Sequence, residues 1–204
     1  MTLLRGDLAA IADAVPHGAR VLDVGCGDGA LLAALRLDKG VDGRGIELSG
    51  ANVALAVARG LSVVQGDADA DLADYPGGAF DVAILSDTLQ AMRDPATVLD
   101  ELLRIGRRAV ISFPNFGHWR VRLSLLAGGR MPMTAALPVP WHATSNIHLC
   151  SIDDFRALAA AKGLTVERAI FLRAGRRVGA FAANLRADQA VFVLARFMPE
   201  AGGR

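Results

Sequence analysis

Val21-Leu22-Asp23-Val24-Gly25-Cys26-Gly27-Asp28-Gly29 decides the reading of this chain. Arg20 to Val24 reads as a buried strand, Gly25 to Gly29 as a glycine loop, and Leu31, Leu32 and Leu35 open a helix behind it. Glycines let the backbone turn sharply and approach a ligand with no Cβ in the way. The first turn of the helix offers N–H groups without intrahelical partners. Gly25, Gly27 and Ala30 even satisfy the dinucleotide fingerprint, whose third position tolerates alanine, so the loop alone does not choose a ligand.

Outward from this unit the pattern alternates. Leu4, Leu8, Ile11 and Val15 sit at helical spacing ahead of it, and Pro16-His17-Gly18 ends that helix. Gly43–Leu48 reads as a second strand, followed by a helix capped by Ser49 and closed by Gly60. Leu61–Val64, Asp81–Ser86 and Ala109–Phe113 read as three more strands. Asp94-Pro95 starts the helix before the last of these, with Val98, Leu99, Leu102, Leu103 and Ile105 as its buried stripe and Gly106 as its stop. Residues 114–150 carry four prolines and read as irregular, with a short amphipathic helix around Trp119–Leu126. Ser151 and Asp154 form a capping-box pair for a helix ending at Gly163. Thr165–Leu172 and Ala190–Arg196 are the last strands. The whole predicts one α/β domain over 1–204, an open sheet with helices on both faces, with 114–150 as a lid or interface segment.

Open α/β sheets bind ligands at the carboxyl ends of their strands. Gly25, Glu47, Asp67, Ser86 and Pro114 all follow strand ends here. Glu47, 22 residues beyond Gly25, suits a ribose in either a dinucleotide or another adenosine ligand. Two carboxylates separate the ligands. Asp23 stands in the mouth of the loop, where it would repel a pyrophosphate and suits the ammonium and sulfonium of S-adenosylmethionine. Asp67, in Gln65-Gly66-Asp67-Ala68, can accept an adenine amino group, although its neighbours Asp69, Asp71 and Asp74 compete for that role. The expected cofactor is therefore S-adenosylmethionine or S-adenosylhomocysteine. The expected cofactor-binding residues are Asp23, Gly25, Cys26, Gly27, Glu47, Leu48, Asp67, Ala68 and Ser86. A dinucleotide, or a fold that has lost its ligand, are the rivals.

Composition narrows the classes. Hydrophobic residues make up 52% of the 204, which supports a packed core. Two cysteines exclude a disulfide scaffold and cannot make a Cys-based zinc site alone. No run of about 18 apolar residues predicts a membrane span, and the first residues do not read as a signal peptide, so cytoplasm is the expected location. The net charge of +1 hides a division: residues 1–103 hold 7 Lys/Arg and 16 Asp/Glu, residues 104–204 hold 15 and 5. That fits an acidic pocket in the first half and a basic face in the second. Aromatics at 5% and the lack of a basic run argue against nucleic acid.

Through Val21–Gly29, Glu47 and Gly66-Asp67-Ala68 the chain resembles class I methyltransferases. Through Gly43–Glu47, Gly60–Asp69, Arg107–Arg122 and Asn146–Cys150 it more closely resembles the methionine biosynthesis protein MetW family, over about residues 5–196. It departs from that pattern at Asp87, at Ala135 and at His142–Ser145. The resemblance implies a Rossmann-like, mostly parallel sheet of seven strands with the last antiparallel. It also implies S-adenosylmethionine binding and a role as partner or regulator of homoserine O-acyltransferase. A homodimer is the other assembly in view, and a small-molecule methyltransferase is the alternative function.

Methyl transfer needs mainly alignment, with a base only for a protonated acceptor. Ser86, Asp87, Asn115, His118 and His148 are the candidates near the strand ends, and no catalytic residue emerges. No metal-ligand spacing is found. Asn115, His118, Trp119, Arg120 and Trp141 are the candidates for substrate or partner contact, since Arg and Trp favour interface anchors.

Overall fold

The structure is a computed structural model that describes residues 4–196. Residues 1–3 and 197–204 of the expected domain lie outside the described residues. The elements run α1 (Gly6–Ala14), β1 (Arg20–Val24), α2 (Ala30–Lys39), β2 (Asp42–Glu47), α3 (Gly50–Ala58), β3 (Ser62–Gln65), α4 (Ala68–Asp71), β4 (Phe80–Ser86), α5 (Pro95–Ile105), β5 (Gly106–Pro114), α6 (Trp119–Gly128), α7 (Ile152–Ala161), β6 (Leu164–Arg173), β7 (Arg176–Val178), α8 (Ala183–Arg186) and β8 (Gln189–Arg196).

One sheet holds all the strands in the order β3-β2-β1-β4-β5-β8-β6-β7. β1 to β5 pair in parallel, and β8 inserts antiparallel beside β5, with Ile111 opposite Phe192. The order reverses at β1, flanked by β2 and β4, which puts the glycine loop at the switch point. Side chains alternate across the sheet. Leu22, Val24, Leu85 and Phe113 pack on one face against α5 and α7, while Val21, Val82, Ile84 and Val110 pack on the other against α1, α2 and α3. Phe113, Phe155 and Phe192 meet with ring centroids 4.7 to 5.9 Å apart.

The expected helix signals act as read. Asp94 accepts from the Ala96 and Thr97 amides with Pro95 in the first turn, Ser49 accepts from Asn52, and Ser151 and Asp154 form the reciprocal capping box. Gly106 ends α5 without a left-handed turn; it is extended, and a Cβ there would meet the Ala83 amide nitrogen at 2.8 Å.

The sheet has eight strands where seven were expected. The extra one, β7, folds back on β6 through Ala174 and Gly175, both at positive φ as a two-residue type I′ hairpin requires. Asp188 steadies the turn by accepting from the Ala174 amide. Ala-Gly is a weak hairpin signal, and Arg176-Arg177-Val178 lacks the apolar alternation of a strand. The segment 114–150 is irregular apart from α6 and one bridge between Thr134 and Leu137. Among the described residues no helix is long and apolar enough to cross a membrane.

Candidate functional site

The loop after β1 is held by its glycines. Gly25, Gly27 and Gly29 have φ of 71°, 57° and 77°, a region that L side chains rarely adopt. At Gly25 space is short as well: a Cβ would lie 2.7 Å from the Thr88 hydroxyl. Glu47, at the end of β2, ties the loop down. Its Oε2 accepts from the Gly27 amide at 2.9 Å, and its Oε1 accepts from the Ser49 amide at 2.9 Å. Asp28 accepts from the Ala30 amide at 3.1 Å, so that N–H at the start of α2 is already used. The Arg59 guanidinium bonded to Asp28 at 2.8 Å holds its carboxyl below the usual range.

Alternation along β1 turns Asp23 to the side of α1 and α2, opposite Leu22 and Val24. Its side chain is 1% exposed, and Oδ1 is buried with no hydrogen-bond partner. Burial, aided by the negative charge of Glu47, pushes its carboxyl up to about 7. An unpaired buried acceptor is costly, so it marks a place where a donor or cation belongs. A hollow of about 410 Å³ opens there, lined by Asp23, Gly25, Cys26, Gly27 and Ser86, with Leu4, Arg5 and Leu8 from the α1 side.

The structure thus brings five of the nine expected cofactor residues around one hollow. Glu47 adjoins them through Gly27. Leu48, Asp67 and Ala68 lie outside it, at the ends of β2 and β3. Asp67 caps α4, accepting from the Asp69 amide at 3.0 Å, and lies 3.5 Å from an Arg93 nitrogen. Cys26 is buried, its thiol pushed up to about 12 by burial first and then by Asp23 and Glu47, which removes it as a nucleophile.

The other candidates scatter. Ser86 and Ser112 hydroxyls lie 3.3 Å apart, and Asp87 accepts from Gln189 at 2.8 Å; burial pushes the Asp87 carboxyl up. Asn115 is fully committed: its Nδ2 donates to the Asn184 and Ala187 carbonyls and its Oδ1 accepts from the Gly117 and Ile152 amides. His118 caps α6 through Nδ1, while its Nε2 is buried with no partner, and burial holds the imidazole below its ordinary pKa. Neither lines the hollow. Trp119, Arg120 and Trp141 are exposed, with the Arg120 guanidinium over the Trp119 ring at 5.3 Å. His148 meets the Arg93 carbonyl at 3.3 Å.

Two contributors escaped the sequence reading. Arg5 reaches from the start of α1 to Asp87 at 3.4 Å and to Asp7 at 2.9 Å, closing one side of the hollow. Gln90, 1% exposed, accepts from the Ile147 and His148 amides through its backbone carbonyl and donates through Nε2 to the Pro114 carbonyl. Neither belongs to a periodic pattern, so no local signal announces it.

An S-adenosylmethionine-dependent methyltransferase from Mesorhizobium loti superposes with a TM-score of 0.70 over 94% of this chain and 98% of its own, at 18% identity. The cyclase SpnF superposes with a TM-score of 0.66 over 94% of this chain and 81% of its own, at 19% identity. These likenesses share the fold, and the second is described by a reaction other than methyl transfer. The bifunctional methionine biosynthesis protein MetXA/MetW of Rhodopirellula baltica is 34% identical over 95% of this chain, which spans 33% of that relative's length. The family model described as methionine biosynthesis protein MetW matches residues 5–194, and the chain belongs to that family.

Proposed function

We propose that this protein binds S-adenosylmethionine and works as an accessory or regulatory partner of homoserine O-acyltransferase. The observation that carries the ligand half is Asp23, a buried carboxylate with an oxygen lacking any partner, facing a hollow beside a glycine loop. A cationic amino acid moiety would satisfy it; a pyrophosphate would not. Asp23, the backbone of Gly25–Gly27 with Cys26, and Ser86 would hold that end. Glu47 and Leu48 would meet the ribose, and Asp67 and Ala68 the adenine. When bound, S-adenosylmethionine supplies a sulfonium with a transferable methyl group. The chain's own residues anchor, neutralise and shield it.

The partner half is supported by the bifunctional relative, in which the region like this chain is one third of a protein that also carries MetXA. Ligand and partner binding to one chain affect each other reciprocally, so such a subunit could report methionine status to the acyltransferase. This is a reading for a cytoplasmic protein.

A methyltransferase is the second reading, favoured by a loop and acids that still form a ligand-sized hollow. Against it, His118 is buried and does not line the hollow, so it offers no base to an acceptor bound there. The test measures homoserine O-acyltransferase activity alone and with this protein, in methyl-labelled S-adenosylmethionine. Activity that changes with this protein and with no label transferred is the expected result. Unchanged activity, with label passed to a small acid, establishes the second reading instead. Binding of reduced nicotinamide cofactors in place of S-adenosylmethionine would overturn the ligand.

A further inference from the structure

Among the described residues, little packs against the helix α6. It runs ten residues, and of these only Val121 is buried. Trp119, Leu123, Leu125 and Leu126 are exposed, Leu126 at 86%. Helices this short are marginal in water on their own, and in proteins a buried apolar stripe normally holds them. Here the described residues cover almost none of it.

The rest of the segment repeats the theme. More than half of the large apolar side chains that the described residues leave exposed fall between 119 and 149. Two hollows cut into this stretch. A shallow one of about 430 Å³ runs along Trp119, Arg120, Leu123 and Ala127, at helical spacing down one side of α6. The other, about 620 Å³, is lined by Met131, Val139, Trp141 and Ile147 among others, with Trp141 71% exposed. Exposed apolar surface on this scale marks an interaction site. Gln90 keeps its far wall in place, since it fixes the amides of Ile147 and His148 and the side chain of Asn146.

Charge states what covers it. Residues 114–150 hold Arg120, Arg122 and Arg130 and not one Asp or Glu. Among the described residues none of the three arginines joins an ion pair. A second copy meeting this face with its own would set arginine against arginine with no carboxylate in the segment to answer, which like-charge juxtaposition penalises. A different protein, apolar at its centre and carboxylate-bearing at its rim, fits.

We infer that residues 119–149 form a docking face for an acidic-rimmed protein partner, with Trp141 and the α6 stripe as apolar anchors and Arg120 and Arg130 at the rim. This inference rests on the partner reading above and assigns that partner, the acyltransferase, its place on the chain.

The test is titration calorimetry of the full chain against the purified acyltransferase, using Trp141→Ala, Arg120→Glu and, as a control on the exposed side of α2, Leu37→Glu. Each variant's thermal melting confirms that it is folded. The expected result is binding by the natural chain, weakened at least about tenfold by Trp141→Ala and by Arg120→Glu and unchanged by Leu37→Glu. Binding by the natural chain that both face variants leave intact overturns the docking face alone. Absence of binding by the natural chain overturns the partner reading and this inference with it. Sedimentation showing a homodimer that the two face variants dissolve makes the face a contact between copies and also overturns the inference.

Discussion

Glu47 and Gly27 are joined by a hydrogen bond of 2.9 Å from the Gly27 amide to Oε2, so the carboxylate at the end of β2 fixes the conformation of the loop at the end of β1. The same carboxylate raises the proton affinity of Asp23 by its charge. Glu47→Gln keeps an acceptor for the Gly27 amide but removes the charge. The Asp23 carboxyl is then expected to titrate below its present value of about 7, and the affinity for S-adenosylmethionine to fall about tenfold as a ribose acceptor weakens. Carboxyl-resolved NMR titration and calorimetry check the two parts separately.

Asp23 makes stability and binding depend on pH in opposite senses. Its carboxyl is raised from 3.8 to about 7 on folding. Below the lower value both folded and unfolded chains are protonated and the contribution to stability is complete. Between the two values the folded chain keeps a proton that the unfolded chain has released, so stability falls as pH rises and the contribution is gone above about 7. The size is on the order of a few kcal/mol. A cationic ligand favours the ionised carboxylate, so its affinity should rise with pH through the same region, with proton release on binding. Asp23→Asn should flatten both dependences and bind the ligand poorly. Denaturant unfolding and calorimetry across this pH range are the measurements.

Both cysteines should be inert in the folded protein. Cys26 is buried beneath the loop and its thiol sits at about 12; burial also pushes the Cys150 thiol above its ordinary value. Iodoacetamide near neutral pH should label neither until the chain unfolds, and then both, as mass spectrometry would record. Rapid labelling of Cys26 in the folded protein would contradict the burial assigned to it.

The parts of this molecule that were legible in the sequence are those built from local chemistry. Positive-φ glycines, the Asp94-Pro95 start and the Ser151–Asp154 box act within a few residues, and their effects survive into the fold. Asp23 was legible because its place before the first glycine fixes which face of β1 it joins. Long-range pairings were not legible. Nothing near Arg5 predicts that it reaches Asp87, and nothing near Gln90 predicts that it holds residues 146–148. Proximity to a strand end does not fix where a side chain points: Asn115 and His118 follow β5 closely, and the chain turns both inward.

That inward turn gives the Asn115 side chain a full set of hydrogen-bond partners. Asn115 is 2% exposed, and its amide answers two carbonyls and two amides drawn from α8, its end, the chain before α6 and the first residue of α7. Asn115→Ala strands those groups in a dry interior, where each unsatisfied one costs about 1–3 kcal/mol, partly recovered by relaxation. The expected loss is about 2–4 kcal/mol of stability in denaturant unfolding. Asn115→Asp keeps both acceptor contacts but points a carboxylate oxygen at the Asn184 and Ala187 carbonyls, so it should not rescue the fold. Neither change touches the hollow around Asp23, so below its lowered melting temperature Asn115→Ala should bind S-adenosylmethionine within about twofold of the natural chain. A large drop in affinity at unchanged stability would instead give Asn115 a part in ligand binding.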